Sequence, residues 1–256
     1  MHPISAKALI GPDDPAPVDV VHGDSASDLV LLCEHAGRAI PASLGDLGVS
    51  QAVLLSHRGW DIGAEDVARG LASALQAPLV LQRYSRLVVD CNRPPRSPTF
   101  MPVISDHQEV PGNSSATKAD RTAREREIFA PMNQQLNRLF QAHDRRAAFS
   151  IHSYTPSMDG QDRPWHAGFL TRKSKGTARA LMAAIAEIRP DLTLALNQPY
   201  QIDDATDWFI PQYPEVLGLP HCLIEIRNDQ IDHPEGVALW IDLLSHAINA
   251  FMENLP

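Results

Sequence analysis

Cysteine is scarce in this chain of 256 residues, which contains only three. Cys33, Cys91 and Cys222 are far apart in sequence, and each lies in or beside an apolar run. An odd number of cysteines without close pairwise spacing argues against a disulfide framework and against a cysteine-type zinc site. We therefore expect three buried free thiols that behave as small hydrophobic side chains.

Excess positive charge and long apolar runs are also lacking. The formal net charge is -9, which argues against a nucleic-acid-binding surface because neutralising phosphates requires a basic field. No apolar run approaches the roughly 20 residues that span a bilayer, so no membrane association is expected. The first residues, 1–7, lack the charged and then apolar layout of a secretory signal, which predicts a cytoplasmic protein.

What the chain does contain is the composition of an ordinary soluble globular enzyme, with 44% hydrophobic and 21% charged residues. Predicted strands alternate with predicted helices over the whole length, and no linker or internal repeat interrupts them. This alternation favours an α/β fold with a mostly parallel mixed sheet flanked by helices, formed by one domain over residues 1–256. The main predicted strands are 28–33, 78–81, 87–89, 147–151, 167–171, 192–196 and 221–226, with a possible edge strand at 18–21.

Four helices are predicted, at 61–76, 117–143 and 175–188 and from Asp232 onward, and Ile188 is predicted to face inward in the third. Pro131 is expected to kink the second of them or divide it in two. Asp232 with Glu235 is typical of a capping box at the start of the last. The segments 94–115 and 197–220 are predicted as long loops, which in compact domains are more often functional covers than filler.

The stretch 84–95 combines an apolar core with several charged side chains. It is predicted to form a short strand at 87–89, with Arg86 at its start and Asp90, Asn92 and Arg93 at its end. A guanidinium group matches a carboxylate bidentately, so these side chains could form an anion-binding platform. The alternative is that they cap the strand and pair with nearby acids.

Polar side chains follow four predicted strands: His35, the Asn92 and Arg93 pair, His152 and Glu225. If the strands run parallel, these groups emerge at the same edge of the sheet, where open α/β folds place their chemistry. Two imidazoles and a carboxylate are usual ligands of a catalytic zinc ion. Glu225 could then accept a proton from water while arginines hold a substrate carboxylate and an oxyanion. The predicted chemistry is hydrolysis of an amide in a small acidic molecule.

Several assignments stay open at this level. His35 could instead cap a helix, and Glu225 could pair with Arg227. Asp61 is the preferred carboxylate ligand, although it could be the N-cap of the helix at 61–76. Asp90 is another candidate, and so is Glu34, although neighbouring residues at a strand end point to opposite faces, which disfavours Glu34 together with His35.

Six segments together resemble the N-formylglutamate amidohydrolase family: 33–37 with Ile40 and Pro41, 57–61, 84–94, 150–153, 163–165 and 224–227. The resemblance implies a phosphorylase/hydrolase-like α/β fold, related to zinc-dependent exopeptidases and to aspartoacylase. It also implies zinc, or another divalent metal, as the cofactor.

The same resemblance implies individual roles. His35 and His152 correspond to the histidine ligands, Glu225 to the general base, and Asn92 with Arg93 to the substrate-binding pair. Arg86 is the expected upstream arginine, and Arg227 is a further candidate for substrate binding. The relatives place a glutamate ligand three residues after the first histidine, where this chain has Arg38, and this favours Asp61 as the third ligand.

The leading functional hypothesis is metal-dependent hydrolysis of an N-acyl acidic amino acid, with N-formyl-L-glutamate giving formate and L-glutamate. The alternatives are a metallo-carboxypeptidase, a deacylase of other N-acyl amino acids, or a non-catalytic protein that binds small carboxylates. The expected partner is the small acidic substrate, and the expected assembly is a monomer or a small homo-oligomer.

Overall fold

Parallel strands at the centre of one sheet organise the computed structural model, which describes residues 8–255. The expectation about a secretory signal rests on residues 1–7, which lie outside the described residues. The strands are β1 Val18–Val21, β2 Leu29–Cys33, β3 Leu79–Gln82, β4 Ile104–Ser105, β5 Gln108–Glu109, β6 Ala147–Tyr154, β7 Ser157–Met158, β8 Gln161–Asp162, β9 Ala167–Leu170, β10 Leu194–Leu196 and β11 His221–Arg227.

Within residues 8–255, seven of these strands form one sheet in the order β1-β3-β2-β6-β11-β9-β10. The neighbours β3, β2, β6 and β11 pair in parallel, while β1 is antiparallel to β3 and β9 to β11. Two separate hairpins are formed by β4 with β5 and by β7 with β8. The prediction of a mostly parallel mixed sheet is confirmed, including the edge strand β1.

The helices are α1 Gln51–Leu55, α2 Ala64–Leu75, α3 Pro111–Ser114, α4 Lys118–Arg124, α5 Ala130–Ala142, α6 Lys175–Ile188, α7 Phe209–Gln212, α8 Pro214–Leu217 and α9 Pro234–Glu253. Successive side chains of a strand point to opposite faces of a sheet. Leu29, Leu31 and Cys33 therefore pack against α2 and α9 on one face, and Val30 and Leu32 pack toward α5 on the other. Helices cover both faces, as parallel sheets require.

The thiols and the divided helix agree with prediction. All three cysteines are buried and free. The helix predicted over 117–143 begins after Thr117, whose side chain accepts a hydrogen bond in a capping box with Asp120. A π-helical turn at Glu125–Phe129 separates α4 from α5 just before Pro131. Among the described residues, no helix is long and apolar enough to cross a membrane.

The predicted strand at 87–89 is wrong. These residues are fully buried, but they form a turn in which the Val88 N–H donates to the Ser85 carbonyl at 2.9 Å. The Ser85 hydroxyl also accepts the N–H of Leu87 at 3.2 Å. Because these backbone groups are satisfied locally, the apolar run packs against the core without pairing in the sheet. The strand that leads to this stretch is β3.

Three smaller expectations also fail. The C-terminal helix begins at Pro234 after an extended His233, without a side-chain cap, so Asp232 and Glu235 form no capping box. Proline suits this first position because its missing N–H needs no partner there. Ile188, predicted to face inward, is 47% exposed at the end of α6. The segment 94–115 contains the β4–β5 hairpin, α3 and a 3-10 turn at Pro98–Phe100.

Candidate active site

Parallel strands bring the predicted polar groups to one edge of the sheet. His35 follows β2 by two residues, while His152 lies within β6 and Glu225 within β11. The register of β6 and β11 pairs His152 directly with Glu225. The His35 and His152 rings lie edge to face, with centroids 4.9 Å apart. Sheet pairing alone therefore places these three side chains together.

One carboxylate oxygen joins the two imidazoles. Asp61 Oδ2 lies 3.4 Å from His35 Nδ1 and 2.9 Å from His152 Nδ1. All three side chains are buried, and their potential ligand atoms lie within 4.8 Å of one another. Ligand atoms around a tetrahedral zinc ion, each about 2.0 to 2.1 Å from the metal, are separated by about 3.3 Å. This donor set therefore suits a divalent metal.

Asp61 is not the N-cap of the following helix, so its carboxylate is available to face the two imidazoles. The helix α2 begins at Ala64, and its N-cap is Gly63 with a φ of 77°. A Cβ atom on Gly63 would lie 2.1 Å from the Ile231 carbonyl oxygen, so only glycine fits there. Asp61 Oδ2 accepts the N–H of Ser153 at 3.2 Å. Burial opposes the charge on Asp61, but the nearby histidines hold its pKa well below the usual value.

The other two carboxylate candidates lie behind the imidazoles. Asp90 Oδ1 is 2.8 Å from His35 Nε2. Glu34 Oε2 is 3.0 Å from His152 Nε2, without hydrogen-bond geometry, and accepts the hydroxyl of Ser150. Metal-binding histidines commonly present their second nitrogen to a carboxylate, which fixes the ring and its tautomer. Asp90 and Glu34 therefore lie at the Nε2 atoms of the two imidazoles, whereas Asp61 lies between their Nδ1 atoms.

Arg86 lies between two of these carboxylates. Its Nη1 is 3.3 Å from Asp61 Oδ1, and its Nη2 donates to Asp90 Oδ2 at 2.8 Å. Arg93 Nε is 3.7 Å from the same Asp90 oxygen, and Arg93 Nη1 donates to the carbonyl of Thr206. Both guanidinium groups line the cavity described below. The alternative that these arginines pair with nearby acids is therefore confirmed, and anion binding stays a prediction.

The side chain of Asn92 is hydrogen-bonded to residues 207–209. Its Oδ1 accepts the N–H groups of Trp208 and Phe209 at 3.1 and 3.4 Å, and its Nδ2 donates to Asp207 Oδ1 at 3.3 Å. The amide therefore ties the segment before α7 to the site, and one N–H of Nδ2 is left for a ligand. Asn92 lines the cavity.

The structure does not bring Arg227 to the cavity wall. Its Nε donates to Asp229 Oδ1 at 2.7 Å, and its Nη1 donates to the Arg163 carbonyl at 3.2 Å. Within residues 8–255 the suggested pair between Glu225 and Arg227 is also absent. Arg227 was placed near the site by its closeness to Glu225 in sequence, which does not determine where a long side chain ends.

Glu225 is buried, and its Oε2 has no hydrogen-bond partner in the described part of the chain. Burial raises the pKa of Glu225 to about 7, although His152 acts in the opposite direction. A carboxylate with a pKa near neutrality is suited to exchange protons with water at physiological pH. Glu225 therefore has the environment expected of a general base or acid.

His57 also lines the site and was missed as a candidate. Its Nδ1 lies 3.7 Å from Asp61 Oδ1, and burial lowers its pKa to about 4, so it is neutral at physiological pH. The sequence feature that could have indicated His57 as a site residue is its position four residues before Asp61, in the segment 57–61. Arg38, three residues after His35, stacks over Trp60 with 4.9 Å to the ring centroid.

A cavity of about 670 Å³ opens from this cluster. Its inner wall includes His35, His152, Glu225, Arg86 and Arg93. Its outer wall includes Ile104, Ser105 and Asp106 of the β4–β5 hairpin, Met158 of the β7–β8 hairpin, and residues 199–201, 206 and 207. The loops predicted at 94–115 and 197–220 therefore do cover the site.

Comparison with known proteins agrees with this geometry. The family model for N-formylglutamate amidohydrolase matches residues 27–231. A gene product from Agrobacterium tumefaciens of known crystal structure is 35% identical, over 95% of this chain and 99% of that chain, with a TM-score of 0.88. The crystal structure of N-formylglutamate amidohydrolase from Ralstonia eutropha is 17% identical, over 94% and 98% of the two chains, with a TM-score of 0.67. The second likeness shows the fold and confirms the predicted fold class. No curated protein matches the chain.

Proposed function

This chain belongs to the N-formylglutamate amidohydrolase family, and from that premise we propose that it hydrolyses the amide bond of N-acyl acidic amino acids with the help of a divalent metal ion. N-formyl-L-glutamate, which would yield formate and L-glutamate, is the reference substrate. We further propose that residues 1–256 form a single domain of this family.

One observation carries the proposal. The Nδ1 atoms of His35 and His152 converge on Asp61 Oδ2, while Asp90 and Glu34 lie at the opposite ring nitrogens. Burying so many carboxylates is costly unless cations compensate them. A metal ion held by His35, Asp61 and His152 would supply that compensation.

Zinc fits this donor set of two imidazoles and one carboxylate, and another divalent metal remains compatible with it. When bound at such a site, zinc supplies Lewis acidity, which polarises a carbonyl oxygen and lowers the pKa of water toward about 7. Asp90 and Glu34 would keep both imidazoles in the required tautomer and orientation.

Glu225 would accept the proton of the attacking water and pass it to the leaving amine. Its burial and its unpartnered Oε2 support this role, because the raised pKa makes proton exchange near neutrality favourable. Its position opposite His152 in the sheet register places it beside the proposed metal ligands.

Arg93 and Arg86 would bind the substrate carboxylate, and Arg93 would also stabilise the oxyanion that forms at the amide carbonyl. Their partners Asp90 and Asp61 hold both guanidinium groups at the cavity wall. Asn92 would contribute one N–H while holding the segment that carries Thr206. We assign no substrate contact to Arg227, because it does not line the cavity and its Nε and Nη1 donate to Asp229 and Arg163.

The first test measures metal content and formate release together. Protein purified with zinc is expected to bind about one ion per chain, as a single site with these ligands would. It should release formate from N-formyl-L-glutamate, and His152→Ala should lose both properties. His221→Asn is the matched control, because His221 is a buried histidine at the start of β11 that does not line this cavity.

Two outcomes would contradict the proposal. A chain that takes up no divalent metal would remove the proposed source of Lewis acidity. Metal-loaded protein that binds N-acyl acidic amino acids without hydrolysing them would favour the non-catalytic carboxylate-binding alternative.

A further inference from the structure

We propose that the two hairpins over the cavity form an apolar subsite for the acyl group, so that the preferred substrate carries an acyl group much larger than formyl. This inference rests on the proposed amide hydrolysis and specifies its substrate class. The hairpins are β4–β5, at 104–109, and β7–β8, at 157–162.

The size of the cavity is the first argument. Its volume is about 670 Å³. Pockets of about 300 to 1,000 Å³ typically enclose drug-sized ligands. N-formyl-L-glutamate is much smaller than such a ligand, so it would leave a large part of this cavity filled only by water. A bulkier acyl group would use that space.

The chemistry of the outer wall is the second argument. Ile104, Met158 and Tyr200 line the cavity, and they are 58%, 36% and 37% exposed. Leu170 and Leu223 continue this apolar lining deeper in the cavity. Exposed apolar side chains grouped around one cavity are typical of a surface that a ligand covers. An apolar acyl chain would remove this surface from water.

The charges on the same wall argue against a second carboxylate as the occupant. Among the residues that line the cavity, Arg58 is the arginine on the hairpin side, and its Nη2 is paired with Asp106 Oδ2 at 2.7 Å. Arg163 does not line the cavity, and its guanidinium donates to Met158 Sδ and stacks over the Tyr200 ring. Asp159 adds another negative charge at the tip of the second hairpin. The arginines that remain beside the metal-binding cluster, Arg86 and Arg93, lie in the inner wall. The carboxylate of the substrate therefore belongs inside and the acyl group belongs outside.

The outer wall is also preformed. His107 Nε2 lies 2.8 Å from Asp159 Oδ1, which joins the tips of the two hairpins. Arg58 Nε donates to the Asp106 carbonyl at 3.2 Å, which holds the first hairpin to the segment that contains His57. Such contacts keep Ile104 and Met158 over the cavity before a ligand binds, and preorganisation of this kind increases affinity.

The reaction itself is unchanged by the larger acyl group. Water adds to the acyl carbon, the C–N bond breaks, and a proton moves to the amine, which gives the free carboxylate and the amino acid. No additional reactant is needed.

The test compares kcat/KM for N-formyl-, N-acetyl-, N-hexanoyl- and N-phenylacetyl-L-glutamate with the metal-loaded protein. We expect the hexanoyl or phenylacetyl substrate to exceed the formyl substrate by about tenfold or more, since burying even two methylene groups has an effect of that order. The double variant Ile104→Ser/Met158→Ser should reduce this ratio by about tenfold. Val216→Ser is the matched control, because Val216 is 72% exposed and is not part of the cavity lining.

Failure of the subsite and failure of the proposed function give different results. If N-formyl-L-glutamate is the best substrate and the double variant leaves the ratio unchanged, the acyl subsite is wrong while amide hydrolysis stands. If none of the four amides is hydrolysed, the proposed function is wrong. Calorimetric titration then decides the subsite, since equal affinity for N-phenylacetyl- and N-formyl-L-glutamate would overturn it.

Discussion

The two ends of β11 each bring a histidine and a glutamate together. At the start of the strand, His221 lies near the buried side chain of Glu215. Near its end, Glu225 lies opposite His152 of β6. At the start of β11, His221 Nδ1 donates to the Leu219 carbonyl at 2.7 Å. The carboxylate of Glu215, 3.9 Å from His221 Nε2, accepts from Arg172 Nε at 3.0 Å and lies 3.2 Å from Lys173 Nζ. One carboxylate thus faces two fixed cations.

At the carboxyl end of the sheet the balance is reversed. Four buried carboxylates, those of Glu34, Asp61, Asp90 and Glu225, share the fixed positive charges of Arg86 and Arg93. The same residue types therefore form a neutralised structural cluster at one end and, at the other end, a cluster in which carboxylates outnumber the arginines. The difference shows that the balance of charge, rather than the presence of histidine and glutamate, identifies the end suited to a metal ion.

The largest expected effect is on kcat, from the substitution of Glu225 compared with that of Glu215. Glu225→Gln should lower kcat by about 10² to 10⁴, because it removes the proton acceptor while preserving the shape of the side chain. Glu215→Gln should leave kcat unchanged, because Glu215 is bound by Arg172 and Lys173 far from the cavity lining. Steady-state hydrolysis of an N-acyl-L-glutamate measures both. Equal activity of the two variants would remove the functional distinction between the two ends.

A smaller effect is expected from the residues behind the imidazoles. Asp90→Asn should weaken zinc affinity by about 10- to 100-fold, because the carboxylate at His35 Nε2 no longer fixes the ring and raises its basicity. Competition with a chromophoric chelator gives this affinity. Asp229→Asn serves as the control, since Asp229 pairs with Arg227 outside the cavity. Unchanged affinity in the Asp90 variant would show that Asp90 does not support a metal ligand.

Arginine substitutions should separate substrate binding from structure. Arg93→Ala is expected to raise KM by about tenfold or more, because a hydrogen bond to a charged group is lost. Arg189→Ala removes an arginine that pairs with Asp191 outside the cavity lining, and it should leave KM unaltered. A rise in KM for the Arg189 variant, or its absence for the Arg93 variant, would contradict the assignment of the substrate carboxylate to the inner wall.

The smallest effect concerns stability alone. Burial lowers the pKa of His221 below its usual value, so the unfolded chain takes up its proton at a higher pH than the folded chain. The stability due to neutral His221 is therefore present above about pH 6.5 and is lost as the pH falls below it, by up to about 1.4 kcal/mol per pH unit.

His221→Asn should remove this component, because the asparagine amide can still donate to the Leu219 carbonyl but does not titrate. Urea unfolding at several pH values between 5 and 7 gives the free energy of unfolding for both proteins. If the difference between them does not change with pH, His221 is not kept neutral by the fold. Hydrolytic activity at pH 7 should be the same in both.

Much of the fold could be predicted because local patterns are strong where strands are buried. The continuous apolar runs that became β2, β6 and β11 have few alternatives, and their parallel pairing placed His35, His152 and Glu225 at one edge. The run at 87–89 looked the same but is a turn, because burial constrains side chains and does not specify where backbone hydrogen bonds are made.

The sequence by itself determined where the buried strands lie and which chemical types of side chain stand at their ends, since both depend on residues close together in the chain. Only the tertiary structure distinguished the positions of the three carboxylates: Asp61 faces both Nδ1 atoms, whereas Asp90 and Glu34 lie at the Nε2 atoms. Only the tertiary structure separated Arg93 from Arg227 and brought two hairpins over the cavity. Such choices depend on contacts between residues far apart in sequence and on where long side chains end, and neither has a local signature.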